Sequence, residues 1–181
     1  EDELEKTPEL DKLYNLCLKM ARCGKSNNPA MWYYTAAFLE DLYGNTASAS
    51  RLLSLAEKSR SSDYIKESIK IFRIYLDAKL LPYDSYYENR LFGQLKWLDS
   101  KIQSNIDDKV RNETARGYML FNCESYYYWN DMMRRILLAE VCPRMIKSGK
   151  TTRALQLANM ADNRLLNIVN RHEICDWMDD K

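Results

Sequence analysis

The sequence contains few residues that break helices, since only five of its 181 residues are glycine and four are proline. A turn-rich β fold needs such residues at each chain reversal, so their scarcity favours long helices. Hydrophobic residues make up 46% of the chain and charged residues 29%, a balance that is ordinary for a globular protein and too apolar for a disordered one. The length suits one domain, and we expect a single all-helical domain over residues 1–181, as a fragment or mature part of a longer protein.

Signals of several function classes are missing as well. The 27 basic and 26 acidic residues give a net charge of +1, so no global charge excess directs the chain to nucleic acid or to an anionic membrane. No apolar run approaches the length of a transmembrane helix, and we expect a soluble protein. The stretch SGKTT (148–152) lacks the first glycine of a phosphate-binding loop, because position 144 is arginine.

Histidine is almost absent, which limits the catalytic and metal-binding options. The one histidine, His172, has Cys175 and Asp176 three and four residues further on, so the three would share a face of a helix. A structural zinc needs four ligands, and a nucleophilic cysteine needs an oxyanion site and an orienting group. We therefore predict no catalytic residue, metal or cofactor, and expect that the chain is not an enzyme.

Cysteine usage says little about the compartment. The chain has five cysteines, an odd number without a CxxC pair, which favours free thiols in a reducing compartment over a disulfide framework. The sequence begins EDELEK without methionine or an apolar leader. A signal peptide that was removed earlier therefore stays an open alternative.

Caps, prolines and glycines divide the chain into helical segments. Thr7-Pro8 and Asn28-Pro29 each combine an N-cap residue with a first-turn proline. Further helices are predicted over about 46–59 and from 63 to Pro82. The next helix opens with the capping box Ser85-x-x-Glu88, and a long helical stretch then runs to about Lys147 with a kink at Pro143. A last helix is predicted over about 151–170. Residues 172–181 are predicted to be a loosely held tail.

Apolar residues recur at helical spacing in these segments and predict the core. The predicted core positions are Leu10, Leu13, Cys17 and Met20 in the first helix; Leu52, Leu53, Leu55 and Ala56 in the third; Ile65, Ile69, Phe72, Leu76 and Leu80 in the fourth; and Tyr87, Leu91, Leu95, Leu98, Ile102 and Ile106 in the fifth. The segment AMWYYTAAFLEDLY (30–43) is apolar on nearly every face, which predicts a helix buried between its neighbours.

Two stretches share one pattern of small residues. Gly44-x4-Ala49-x6-Ala56 and Gly149-x4-Ala154-x6-Ala161 each place a glycine between two helices and two alanines, seven residues apart, on one face of the second helix. The hairpins resemble tetratricopeptide repeats, and positions 44 and 149 lie 105 residues apart, close to three units of about 34 residues. The resemblance implies antiparallel hairpins stacked as a short right-handed array of about seven helices. An irregular α-helical bundle is the alternative.

The resemblance also implies a function, namely a non-enzymatic helical-repeat module, or scaffold, that binds a protein or peptide partner. A second hypothesis is an anionic ligand or nucleic acid bound by the basic hairpin around residues 134–153, where six basic residues face one acid, Glu140. In the aromatic stretch SYYYWND (125–131), a helical projection turns Tyr126 and Trp129 to the core and Tyr127 outwards. The predicted partner-binding residues are Tyr127, Arg134, Arg135, Lys147, Lys150 and Arg153.

Overall fold

The chain is all-α wherever the structure, a computed structural model, describes it. The described residues are 5–116 and 131–163, without the side chains of 103, 105–116, 162 and 163. These ranges hold seven α-helices whose bounds the structure defines, a further α-helical stretch over 131–135 and no β-strand, which confirms the predicted all-α class. The helices are α1 (Pro8–Arg22), α2 (Pro29–Leu42), α3 (Thr46–Lys58), α4 (Asp63–Leu80), α5 (Tyr87–Arg116), α6 (Cys142–Lys147) and α7 (Thr151–Asn163).

The chain divides into two compact units at the end of α4. The first unit is Glu1–Leu80 and holds α1 to α4, and the second unit is Leu81–Lys181 and holds α5 to α7. The single domain over 1–181 and the tetratricopeptide-like stacking both stay predictions. The predicted tail, 172–181, lies outside the described residues.

Local cap signals set most of the helix ends. Thr7 accepts a hydrogen bond on Oγ1 from the Leu10 N–H at 3.3 Å, and Pro8 is the first residue of α1, as predicted. The predicted capping box of α5 is wrong. That helix begins at Tyr87, and Asp84 accepts a hydrogen bond from the Tyr86 N–H at 2.9 Å. Glu88 instead takes part in a side-chain network that is described below.

The two glycine turns have the same backbone hydrogen bonds. After α2, the Gly44 N–H donates to the Asp41 carbonyl at 3.0 Å and the Asn45 N–H to the Glu40 carbonyl at 2.9 Å. After α6, the Gly149 N–H donates to the Ile146 carbonyl at 3.0 Å and the Lys150 N–H to the Met145 carbonyl at 2.9 Å. Both glycines have positive φ, 80° and 88°. Each turn is therefore a Schellman motif, in which glycine ends one helix and lets the next one begin.

Gly149 and Gly93 are expected to respond to alanine in opposite directions. A Cβ at either position meets nothing within 4 Å, but only Gly149 has positive φ. Gly149→Ala should lower the free energy of unfolding by about 1 kcal/mol, because L-residues are strained in the left-handed region. Gly93→Ala, inside α5, should raise it by about 0.5–1 kcal/mol. Urea unfolding of both variants checks the signs, and destabilisation by both would contradict this account.

The alanines of the repeated pattern lie in the core of each unit. In the first unit, α2 packs against α1 and α3, and α3 packs against α4. Ala49 and Ala56 are 0% and 1% exposed there, and in the second unit Ala154 and Ala161 are both fully buried. The two alanines of each pattern are therefore buried on one face of their helix, where side chains of this size leave room for a neighbouring helix.

Most of the predicted core stripes are buried. The side chains of Cys17, Leu52, Leu53, Ile69, Phe72, Leu76, Tyr87, Leu91, Leu95, Leu98 and Ile102 are all buried. Three predicted core positions are exposed instead: Leu13 by 40%, Leu55 by 42% and Leu80 by 43%. The core cluster of the first unit contains Cys17, Leu53 and Phe72 among its buried residues. In α1, Tyr14 and Leu18 pack on this cluster beside Cys17, so the buried stripe is rotated away from Leu13. The side chain of Ile106 lies outside the described residues.

The helix that contains Pro143 changes from π-helical to α-helical geometry just before the proline. Residues Ile136–Val141 form a π-helical segment, and the Cys142 N–H donates to the Leu137 carbonyl. Pro143 then occupies the first turn of α6. Proline has no N–H for the carbonyl four residues earlier, and a widened turn rearranges the bonds around that gap. Met133, Ile136, Leu137 and Met145 are fully buried through this stretch.

Candidate functional site

The structure describes five of the six predicted partner-binding residues, and Tyr127 lies outside the described residues. Arg135 is exposed and forms a salt bridge with Asp131 at 2.8 Å, one helical turn away. Lys147 is exposed at the end of α6, Lys150 lies in the turn after it, and Arg153 is half-buried in α7. Arg134 is half-buried. Lys150 forms an ion pair with one carboxylate, and the charge of Arg153 acts on the same group.

That carboxylate belongs to Glu88 of α5. Glu88 is 7% exposed, and its Oε1 accepts hydrogen bonds from Lys150 Nζ at 2.8 Å and from the Tyr83 hydroxyl at 2.6 Å. Burial by itself would raise the pKa of the Glu88 carboxyl, but the bonds from Lys150 and Tyr83 and the charge of Arg153 outweigh burial and lower it. The hydrogen bond to Glu88 raises the pKa of Lys150. Lys150 therefore links the hairpin turn to α5 through this ion pair.

Arg144 of the same hairpin is also engaged within the second unit. Its Nη1 donates to the Leu81 carbonyl, and its guanidinium lies 5.1 Å from the ring centroid of Tyr87. The hairpin therefore offers less positive charge to a partner than the count along the sequence indicates, because groups from other parts of the unit already bind Arg144 and Lys150. Glu88 is 62 residues away from Lys150 along the chain, so a local charge count misses it.

Glu88→Gln is expected to reduce the dependence of stability on acid pH. Because the folded-state pKa of Glu88 is lowered, its contribution is present at neutral pH and is lost as pH falls below the ordinary glutamate pKa of 4.5 towards the folded-state pKa. At pH 7, the variant should lose about 1 kcal/mol, since Lys150 loses its ion-pair partner and the Tyr83 hydroxyl donates to a neutral oxygen instead of a carboxylate. Urea unfolding at pH 7 and pH 4 measures both effects. An equal loss at both pH values would contradict the ionised network.

A set of aromatic side chains on α2 and α4 was not predicted as a site. We name Tyr34, Phe38, Phe72 and Tyr75 the α2–α4 aromatic face. The Phe72 ring centroid lies 5.7 Å from that of Tyr34, 6.1 Å from that of Phe38 and 6.1 Å from that of Tyr75. Phe72 is 2% exposed, whereas Phe38 is 42% exposed. A buried ring thus supports three neighbours, one of which presents a large apolar surface to solvent.

One end of this face is fixed by charge. Lys79 Nζ of α4 lies 3.5 Å from the Asp41 carboxylate of α2 and 4.4 Å from the centroid of the Tyr75 ring. Asp41 also accepts a hydrogen bond from the Thr46 hydroxyl at 3.3 Å. The lysine and aspartate side chains are only 18% and 9% exposed, so the pair links α2 to α4 in a largely dry setting.

Helical spacing in the sequence carried the signal for the α2–α4 aromatic face. Tyr34, Phe38 and Leu42 are four residues apart and share one side of α2, and the last two are 42% and 38% exposed. The prediction that this segment is buried on nearly every face is wrong for that side. It holds for Ala30, Ala36, Ala37 and Leu39, which are buried.

Neither a membrane span nor a metal cluster occurs among the described residues. No helix in that part of the chain is both long and apolar enough to cross a bilayer, and no group of three or more metal-ligating side chains is assembled there. His172, Cys175 and Asp176 lie outside it. Comparison of the chain with protein-family models, with curated proteins and with solved structures finds no match.

Proposed function

We propose that the chain is a non-enzymatic helical-repeat module that binds a protein or peptide partner. The α2–α4 aromatic face is the proposed contact surface. The matching turns at Gly44 and Gly149 support a repeated hairpin design, and the ring contact of Tyr34 on α2 with Phe72 on α4 supports a surface that the two helices share. Repeats built in this way present an extended binding surface.

The observation that carries the proposal is the exposure of Phe38 beside the buried Phe72 ring. Aromatic side chains that are held by their neighbours lose little conformational entropy when a partner covers them, and such residues dominate binding energies. The fixed pair of Lys79 and Asp41 at one end keeps α2 and α4 in register. The best fit is therefore a peptide segment with a large apolar side chain that packs on Phe38.

Selection from a random peptide library displayed on phage, with the whole chain as bait, tests this proposal. Phe38→Ala should weaken the selected peptides by about tenfold or more. Leu55→Ala is the matched control, because Leu55 is also 42% exposed but lies on α3. It should change their affinity by less than about twofold. Failure to enrich peptides, or equal losses in both variants, would remove the proposed surface.

The hairpin around residues 134–153 supports the alternative proposal, an anionic ligand or nucleic acid. Its exposed cations are Arg135, Lys147 and Lys150, and of these Arg135 pairs with Asp131 and Lys150 with Glu88. Binding there would weaken steeply as salt rises, because counterions compete for the site. Tyr127→Ala and Arg134→Ala test the predicted contacts directly, and equal binding by both variants and the parent chain would remove them.

A further inference from the structure

The first helix of the chain, α1, has apolar side chains on a side that it does not bury. Leu13 is 40% exposed and Leu16 is 48% exposed, and Met20 is partly exposed. Spacings of three and four residues place these side chains on one side of the helix. We name Leu13, Leu16 and Met20 the α1 outer stripe.

The helix that carries the α1 outer stripe is held firmly in the first unit. Thr7 caps its N-terminus through the hydrogen bond to the Leu10 N–H. Cys17 and Ala21 are buried on its inner side, and Tyr14 packs on the core cluster. The outer stripe is therefore formed before a partner arrives, and binding would cost little conformational entropy on this side of the contact.

Two lysines border the α1 outer stripe. Lys12 lies four residues before Leu16 and Lys19 lies three residues after it, so both are neighbours of that leucine on the helix surface. Both lysines are exposed. In the part of the chain that the structure describes, neither ammonium group has an ion-pair or hydrogen-bond partner. The charge beside the stripe is therefore available to a partner.

The acidic residues of α1 leave this positive border largely intact. Glu9 and Asp11 are the two carboxylates of the helix, and both lie in its first turn. Glu9 is four residues before Leu13, at the N-terminal end of the stripe, whereas the 100° step per residue places Asp11 on the opposite side. Lys19, two and a half turns after Glu9, has no acidic residue within four positions along α1.

These charges exclude a second copy of the chain as the best occupant. Two α1 helices that paired along the outer stripe would bring the lysines of both copies together, and like charges on neighbouring helical positions are destabilising. A lipid surface fits poorly for another reason. Helices that lie in a membrane interface have a broad apolar side, whereas the α1 outer stripe has the narrow spacing of a two-helix seam.

We propose that the α1 outer stripe binds an amphipathic helix of a partner protein whose apolar stripe is bordered by glutamate or aspartate. The two apolar stripes would pack against each other, and the partner's carboxylates would lie opposite Lys12 and Lys19. The inference does not depend on the proposed function, because α1 contributes no residue to the α2–α4 aromatic face.

Two monomeric helical peptides with the same leucine stripe test the proposal. Glutamates border the stripe in one peptide, and lysines replace them in the other. Fluorescence anisotropy at low ionic strength measures the binding of each to the whole chain. The glutamate peptide should bind about tenfold more tightly than the lysine peptide. Lys12→Glu/Lys19→Glu should reverse this preference, a result that a merely destabilised fold would not give.

The apolar half of the contact is tested at Leu16. Leu16→Gln should weaken the glutamate peptide by about tenfold or more, because Leu16 is the centre of the stripe. Leu55→Gln is the matched control, since Leu55 is 42% exposed on α3, and it should change the affinity by less than about twofold. Urea unfolding of each variant verifies that the fold is retained.

Four results would overturn the proposal. The first is a preference between the peptides that is absent in the parent chain or survives the double charge reversal. The second is binding to phosphatidylserine vesicles without binding to either peptide, which would assign the stripe to a lipid surface. The third is a dimer in sedimentation that Leu16→Gln abolishes. The fourth is a loss of peptide binding in Phe38→Ala but not in Leu16→Gln, which would place the peptide on the α2–α4 aromatic face.

Discussion

Phe72→Ala is expected to lower the free energy of unfolding of the first unit by about 3–5 kcal/mol. Phe72 is 2% exposed and belongs to the core cluster that joins α1 to α4. Its ring is also the common neighbour of Tyr34, Phe38 and Tyr75. Alanine would remove the transfer energy of the ring, leave a cavity and take away the support of the α2–α4 aromatic face.

Native-state hydrogen exchange measures this effect in each unit separately. Amides of α2 and α4 should lose protection in the Phe72→Ala variant. Tyr64→Ala is the control on the same helix, because Tyr64 is 65% exposed, and it should change stability by no more than about 0.5 kcal/mol. A loss below about 1 kcal/mol for Phe72→Ala would contradict a central role for this ring.

Leucine at Ala49 or Ala154 is expected to destabilise the chain by up to about 3 kcal/mol. Both alanines are fully buried, and they hold corresponding places after the two glycine turns. A leucine side chain would force apart the helices that approach each other at these small residues. The two substitutions should therefore have similar effects, one in each unit.

Ala47→Leu is the matched control for Ala49→Leu. Ala47 lies in the same helix, α3, but is exposed, so the control adds the same side chain without overpacking. Urea unfolding of the three variants should show large losses for Ala49→Leu and Ala154→Leu and almost none for Ala47→Leu. A tolerated leucine at either buried alanine would show that the two hairpins do not pack in the same way.

The sequence predicted those parts of the fold that depend on neighbouring residues. Thr7 and Pro8 begin α1, and Gly44 and Gly149 end helices, because caps and positive φ are local properties. The stripe from Tyr87 to Ile102 is buried as predicted, since about four turns of regular spacing leave little freedom in the choice of face. Leu13, Leu55 and Leu80 are the exceptions among the predicted core positions, because apolar residues at the edge of a stripe are buried only if a neighbouring helix covers them.

The candidate sites were harder to predict because they depend on distant pairs. Lys150 looked like part of a free basic cluster, and only the fold brings Glu88 to within 2.8 Å of it. Phe38 looked like a core residue, and its exposure follows from which sides of α2 are covered by α1 and α3. Helical periodicity shows that residues share a face, but it does not show what lies against that face.

Chemical-shift mapping with a library-selected peptide tests the central claim most directly, because it separates the two proposed binding surfaces. The account predicts that titration of the ¹⁵N-labelled chain perturbs amides of α2 and α4 around Phe38 and Tyr75, with an affinity that changes little between low and high salt. Perturbation of the hairpin residues 134–153 instead, with binding lost at high salt, would contradict the account and favour an anionic ligand.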